Sequence, residues 1–290
     1  MKTMPTETQS LKVWLNGTFL PADEARVSIF DRSFLYGDGL FETVRVYANR
    51  PFLWAEHLAR LHAGAALLKL RVPNSDAELS AAAAELLARN AMPDSLLRLH
   101  VSRGVGRRGY SPRGADCPTV ILSQHPVTPS DPAKPVTWKL VTASLRLPAH
   151  DPLTAVKSAS KLLHVLARAE AEDLGADEAL LLNSAGDVAE ATSGNVFWLA
   201  DGRLFTPPVT DGALAGVTRA WVLRLAAELG LSAAEQSGTP DDLRAAEGVF
   251  LTLSSLEIVP VSHLDGVELR SSPVIRRLHE AYQASVRQTP

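Results

Sequence analysis

Several scarcities narrow what this chain of 290 residues does. It holds one cysteine, Cys117, which excludes an internal disulfide; no Cys or His cluster near it has metal-ligand spacing, so no metal is expected. Cys117 reads instead as a small semi-buried hydrophobe beside the strand-like run Thr119 to Leu122. Charge of one sign is not in excess: 29 basic and 32 acidic residues are interspersed, which removes the polybasic footprint of a nucleic-acid or anionic-membrane binder. Long apolar runs are missing too. The opening stretch Met1 to Leu11 is polar, and no segment approaches the roughly 18 apolar residues of a spanning helix. The expectation is a cytoplasmic protein with a small-molecule partner, no nucleic acid and no membrane.

With 46% of its residues apolar, the chain is long enough for two domains. Residues 1–12 are expected to be a disordered leader, 13–124 a small α+β domain, 125–135 a proline-rich linker and 136–290 a large domain. Val13 to Leu20 reads as a hairpin around Asn16-Gly17, and Glu42 to Tyr47 pairs with Pro51 to Leu53 across Asn49-Arg50. Leu58, Leu61, Ala65 and Leu68 recur at helical spacing, and Ser75 is an N-cap candidate for a helix ending near Asn90. Strands Leu96 to Ser102 and Val120 to Ser123 flank the loop Arg103 to Arg113. The second domain should start with a strand near Trp138, followed by a helix from about Ser160 to Leu174. Strands Glu178 to Leu182 and Val196 to Leu199, a helix from Thr218 to Glu228, strands Val249 to Leu253 and Ile258 to Val261, and a helix from Pro273 complete it.

Four places carry polar residues at strand ends or helix starts, where rigid elements present them without burying unpaired charge. Lys157, in Val156-Lys157-Ser158-Ala159-Ser160, is an amine that a desolvated pocket would activate, or simply a surface lysine. Glu190 opens the polar run to Asn195 and is a turn carboxylate or something more. Gly216-Val217-Thr218-Arg219 begins a helix whose free N–H groups suit a phosphate as well as ordinary capping. Arg98, Arg103, Arg107 and Arg108 offer guanidinium forks for a carboxylate, or a solvated loop.

Order and spacing give these places a collective meaning. Asp31-Arg32, Tyr36-Gly37-Asp38-Gly39-Leu40-Phe41-Glu42-Thr43, His57-Leu58-Ala59-Arg60-Leu61 and Lys157-Ser158-Ala159-Ser160 succeed one another along the chain. Asp177-Glu178-Ala179, Glu190 to Phe197, Thr206-Pro207, Gly216 to Arg219, and Ser254 with Glu257 to Val261 follow. Together they resemble the class IV aminotransferases, or fold-type IV pyridoxal-phosphate enzymes, over about Val13 to Val261. The resemblance implies an α+β, two-domain fold: a small α/β domain plus a larger mixed β-barrel-like domain with helices. It implies pyridoxal 5′-phosphate carried by Lys157 as a Schiff base, with Lys161 the wrong lysine in this register. Glu190 would bond the pyridine nitrogen; Arg60, Val217, Thr218 and Ser254 would cup the phosphate. Outside this context Arg60 reads as a salt bridge on an amphipathic helix.

The same resemblance implies that Tyr36 and Phe41 line the pocket and that an amino-bearing carboxylate is held by Arg108 with Tyr110 or by Arg98. It also implies a homodimer. Ser160 stands where Asn is frequent and Lys161 where several branched-chain enzymes have Tyr, so branched-chain specificity is not implied. Phe41-Glu42-Thr43, Ser102-Arg103-Gly104 and Arg108-Gly109-Tyr110-Ser111 look like the 4-amino-4-deoxychorismate lyase branch, a string set shared by many transaminases. The expected function is amino transfer between an amino acid and a 2-oxo acid. The alternatives are the lyase, which releases pyruvate and 4-aminobenzoate, and a non-catalytic binding protein on the same fold.

Overall fold

A computed structural model describes residues 11–288, and the chain divides into two units, residues 1–127 with 157–160, and residues 128–156 with 161–290. Of the expected leader, residues 1–10 lie outside the described residues, while Lys12 already opens a strand. The first unit runs β1 (Lys12–Leu15), β2 (Thr18–Pro21), α1 (Arg32–Tyr36), β3 (Gly39–Tyr47), β4 (Arg50–Pro51), α2 (Trp54–Leu68), α3 (Asp76–Asn90), β5 (Ser95–Ser102) and β6 (Thr119–His125). Its six strands form an antiparallel sheet in the order β2-β1-β6-β5-β3-β4.

Local chemistry explains the elements. Asn16 and Gly17 both take positive φ, at 49° and 93°, which joins β1 to β2 by the tight turn their sequence demands. The second hairpin turns one residue earlier than expected: Ala48 and Asn49 take the left-handed conformation (φ 48° and 63°), and Arg50 already pairs with Tyr47. Ser75 caps α3 in a full capping box with Glu78. On β5, Leu97, Leu99 and Val101 are fully buried while Leu96, Arg98 and His100 between them are not, the period-2 signature of a sheet with one face under helices. Helix α2 packs on β3, and α3 on β1 and β6. Cys117 is exposed, not semi-buried, because it precedes β6 in an irregular segment.

The second unit runs β7 (Trp138–Leu147), α4 (Leu162–Asp173), β8 (Glu178–Asn183), β9 (Val188–Ala191), β10 (Asn195–Ala200), β11 (Arg203–Thr206), α5 (Val217–Glu228), β12 (Ala233–Glu235), α6 (Pro240–Ala245), β13 (Gly248–Leu253), β14 (Glu257–Leu264), β15 (Val267–Glu268) and α7 (Pro273–Gln288). Its mixed sheet follows the order β12-β11-β10-β13-β14-β7-β8-β9, with β15 paired to β14. Strands β8, β9 and β13 are buried at every residue, so no alternating pattern marks them. One cluster, including Leu180, Val196, Leu251 and Val259, fills one part of the core; a second, alanine-rich, sets Ala167 and Ala171 of α4 against Ala143, Ala179 and Ala189. Small side chains let that helix lie close to β7 and β8. Among the described residues no helix is long and apolar enough to cross a membrane, and no group of His, Cys, Asp and Glu could hold a metal ion.

Two glycines of the loop after β5 test this reading. Gly104 (φ 87°) abuts the Cys117 carbonyl, with which a Cβ would collide, whereas Gly109 (φ 103°) has open space. Gly109→Ala should cost about 1–2 kcal/mol of backbone strain. Gly104→Ala should cost at least about 2–4 kcal/mol, since strain and overpacking add. Denaturant unfolding of the two variants, compared midpoint for midpoint, checks the difference.

Candidate active site

In the first unit, residues 157–159 form an extended segment beside the start of β3. The β4 strand pairs only with Val46 and Tyr47, so the edge of β3 at Gly39 to Phe41 is open to it. Phe41 N–H donates to the Lys157 carbonyl (3.1 Å) and Ala159 N–H to the Gly39 carbonyl (2.8 Å), with Leu40 and Ser158 bridged. Gly37 caps α1 at φ 69°, and a Cβ there would lie 2.9 Å from Ser160 Cα, so the Tyr36-Gly37-Asp38-Gly39 turn admits this segment only as glycine. The helix also starts later than expected: Ser160 lies outside it, and α4 begins at Leu162.

Lys157 Nζ sits 4.7 Å from the centroid of the Phe41 ring, and the guanidinium carbon of Arg98 sits 4.0 Å from the same centroid. Burial lowers Arg98 below its ordinary value, and lowers His100 likewise, with Arg98 adding to the effect. Both line a cavity of about 310 Å³ together with Val27, Asp31, Phe34 and Ser123.

Beneath them lies a buried ionic group. Glu42 accepts Arg60 Nε at 2.9 Å and His57 Nδ1 at 2.7 Å. Burial alone would raise the Glu42 carboxyl, but the bonds from His57 and Arg60 outweigh it and hold it below the usual carboxylate range. Burial also pushes His57 down against the pull of Glu42, helped by the charges of Arg60 and Lys157, so a neutral imidazole donates to an ionised carboxylate. Arg60 is expected from the resemblance to bind phosphate and otherwise to form a salt bridge; the carboxylate it meets, Glu42, and the histidine that shares it were not foreseen. The signal available was His57 and Arg60 three residues apart on one face of α2.

The loop bearing Arg108 and Tyr110 is gathered by a buried arginine. Arg32 donates to the carbonyls of Gly109 (3.0 Å), Tyr110 (3.1 Å) and Ser111 (3.2 Å) and to Asp38 (2.7 Å). Tyr36 accepts Gly109 N–H at 3.1 Å and meets the Tyr110 ring edge-on at 5.6 Å. Arg103 is no substrate fork in this structure: it bonds Asp38 and the carbonyls of Leu68 and Lys69. Burial would raise Asp38, but Arg103 and Arg32 hold it down. Arg108 and Tyr110 themselves are exposed, Tyr110 by 85%.

In the second unit, Glu190 lies on β9 opposite Leu181 and is 7% exposed. Its Oε2 accepts Leu214 N–H at 2.9 Å and its Oε1 is 3.3 Å from His164 Nε2. Asn195 Nδ2 donates to the Leu214 carbonyl at 2.8 Å, so Leu214 is held on both sides. Gly216 then passes so close to Asn195 Oδ1 that a Cβ would collide with it, and caps α5 with no side-chain hydrogen bond. Val217 and Thr218 stand in that first turn, both buried. Ser254 lies in the turn after β13, two residues from Thr252, whose buried hydroxyl has no partner. A helix N-terminus without a cap and an unpaired buried hydroxyl suit an anion rich in acceptors. His164, Asn195 and Thr252 were not foreseen from the sequence, because each acquires its neighbours only through strand pairing.

Residues 39–264 match the family model for amino-transferase class IV. Over 265 residues, 91% of each chain, the protein is 38% identical to a putative branched-chain-amino-acid aminotransferase of Methanocaldococcus jannaschii. It is 33% identical to the D-alanine aminotransferase of Bacillus licheniformis over 95% of this chain and 97% of that one. Among solved structures, a T.th. branched-chain amino acid aminotransferase with pyridoxamine 5′-phosphate superposes with a TM-score of 0.90 at 31% identity, covering 96% of this chain and 94% of that one. The fold is therefore that of the fold-type IV enzymes, and the chain belongs to the class IV aminotransferases, which use pyridoxal 5′-phosphate to act on amino acids and keto acids.

Proposed function

We propose that Lys157 carries the pyridoxal phosphate, that Glu190 holds the proton on its ring nitrogen, and that Arg60, the α5 N-terminus at Val217 and Thr218, and Ser254 take its phosphate. The observation that carries this reading is the Lys157 amine 4.7 Å from the Phe41 ring, on a segment whose main chain is fixed by pairing with β3. The uncapped α5 N-terminus and the unpaired Thr252 hydroxyl support a dianion there, and the buried Glu190 carboxylate supports a protonated nitrogen. The bound cofactor supplies an electron sink for the bond broken at the substrate carbon. Lys157 Nζ takes the proton from the substrate α-carbon and returns one to the cofactor side, a transfer that needs the uncharged amine. Glu190 accepts from the ring N–H and so favours the proton staying on that nitrogen. Arg60, fixed by Glu42, orients without reacting.

For the substrate we propose that Arg108 and Tyr110 take the carboxylate, on a loop that Arg32 shapes, with Arg98 as the rival anchor beside Phe41. Tyr36 and Phe41 line the pocket. We further propose a cytoplasmic homodimer, supported by the exposed apolar row Ile29, Phe30, Phe34 and Leu35. The lyase reading rests on the Phe41-Glu42-Thr43 and Arg108 to Ser111 strings; release of 4-aminobenzoate from aminodeoxychorismate, with no amino transfer to 2-oxoglutarate or pyruvate across L- and D-amino acids, would favour it.

Three outcomes are expected. Lys157→Ala loses turnover and the covalent cofactor while unfolding normally, and Lys161→Ala keeps both; the reverse, read by borohydride trapping and mass analysis, would show the register is wrong. Arg108→Ala raises KM by about 30-fold or more, the scale of roughly 2–3 kcal/mol for a charge-assisted hydrogen bond, with cofactor affinity unchanged. If Arg98→Ala does this and Arg108→Ala does not, the strand arginine is the anchor. Sedimentation should show a dimer that Phe30→Asp with Phe34→Asp weakens, and a fully active monomer at micromolar concentration would defeat that assignment.

A further inference from the structure

We propose that His164 is a positioning residue for Glu190, donating through Nε2 to keep that carboxylate aimed at the cofactor's ring nitrogen; this rests on the reading of Glu190 given above. Three observations carry it. His164 Nε2 lies 3.3 Å from Glu190 Oε1, and both side chains are shielded, at 14% and 9% exposure. The other oxygen, Oε2, is already fixed by Leu214 N–H at 2.9 Å, so the two contacts stop the carboxylate from turning about its last bond. The second ring nitrogen of His164, Nδ1, is buried with no partner. A carboxylate only accepts, so Nε2 must carry the proton toward it, and a proton on Nδ1 would be a buried donor without an acceptor. The surroundings thus select the tautomer that serves Glu190.

The histidine is left to this task because neighbouring charges of α4 are engaged elsewhere. Arg168 bonds Glu172 and Glu178, and Glu170 accepts from Ser144. Its place is also dictated by the helix start. With residues 157–159 paired to β3, α4 begins at Leu162, so His164 falls in the first turn while Ala167 and Ala171 pack against the sheet. A carboxylate held by donors at both oxygens keeps its remaining lone pairs pointed in one direction, as a bond from a ring N–H requires. Removing the donor frees the carboxylate to turn away and weakens its bond to the ring N–H.

The test uses full-length chain filled either with pyridoxal phosphate or with its 1-deaza analogue, in which carbon replaces the ring nitrogen. His164→Leu is expected to weaken pyridoxal phosphate about tenfold, the scale of one hydrogen bond to a charged group, while the deaza analogue stays within twofold. The ring-nitrogen NMR resonance of isotope-labelled holoenzyme should move toward its unprotonated position in His164→Leu, and His164→Gln, which keeps an N–H donor, should restore both readouts. Equal loss of the two cofactors would mean that His164 only packs. No change in either, or a Gln variant that behaves like Leu, would equally overturn the proposal. Glu190→Gln is the separate control: if it fails to distinguish the two cofactors, the reading of Glu190 itself is wrong, whatever His164 does.

Discussion

Two backbone hydrogen bonds, Phe41 N–H to the Lys157 carbonyl and Ala159 N–H to the Gly39 carbonyl, are the constraint on which the site in the first unit depends. They add residues 157–159 to an edge of β3 that the short β4 leaves open. The pairing fixes where the Lys157 side chain leaves the main chain, whatever that side chain itself contacts. The glycines at 37 and 39 follow from the same pairing. A Cβ at Gly37 would meet Ser160, and one at Gly39 would meet the Val101 carbonyl 2.8 Å away, so the motif is spaced by backbone approach and not by side-chain chemistry.

Ionic groups buried with more than one donor recur in both units. Glu42 is held by Arg60 and His57, Asp38 by Arg32 and Arg103, and Glu178 by Thr192, Ser193 at 2.5 Å and the Ala179 N–H. Such groups add little net stability, since desolvation of the charges cancels much of their attraction; losing one partner is what costs, on the order of 3–5 kcal/mol. Their value here is geometric. Glu42 fixes the plane of Arg60, Asp38 ties α1 to Arg103, and Glu178 gathers the turn that follows Glu190. In each case a shielded charge aims a segment, Glu42 and Glu178 fully buried and Asp38 partly so.

The sequence was legible where structure is local. Asn16-Gly17 makes its hairpin and Ser75 its capping box because both act within a few residues, and the period of Leu58, Leu61 and Ala65 places α2 without reference to anything else. It was less legible where long-range pairing decides. Ser160 reads as a helix start, but it directly follows the residues that pair with β3, and the helix begins only at Leu162. Strands β9, β11 and β12 are three or four residues long, and β9 is buried throughout, so neither length nor alternation announced them. The motif residues follow one another along the chain, whereas Glu42 to Arg60 and His164 to Glu190 span 18 and 26 residues and meet only in the folded unit.

Leu214 links two parts of the second unit that sequence order keeps apart. Its N–H is bound by Glu190 and its carbonyl by Asn195, two residues before Gly216, which caps α5. A shift of Glu190 therefore pulls on the backbone that leads into the α5 N-terminus, and a shift of that helix start pulls on Glu190. Asn195 sets the distance between them, because its Oδ1 fills the space that a Cβ at Gly216 would need. Independent loops would let the separation of Glu190 and the α5 N-terminus vary, and an error of an ångström is costly wherever two groups must be held at a set distance. A single residue clamped at both its N–H and its carbonyl removes that freedom with two hydrogen bonds.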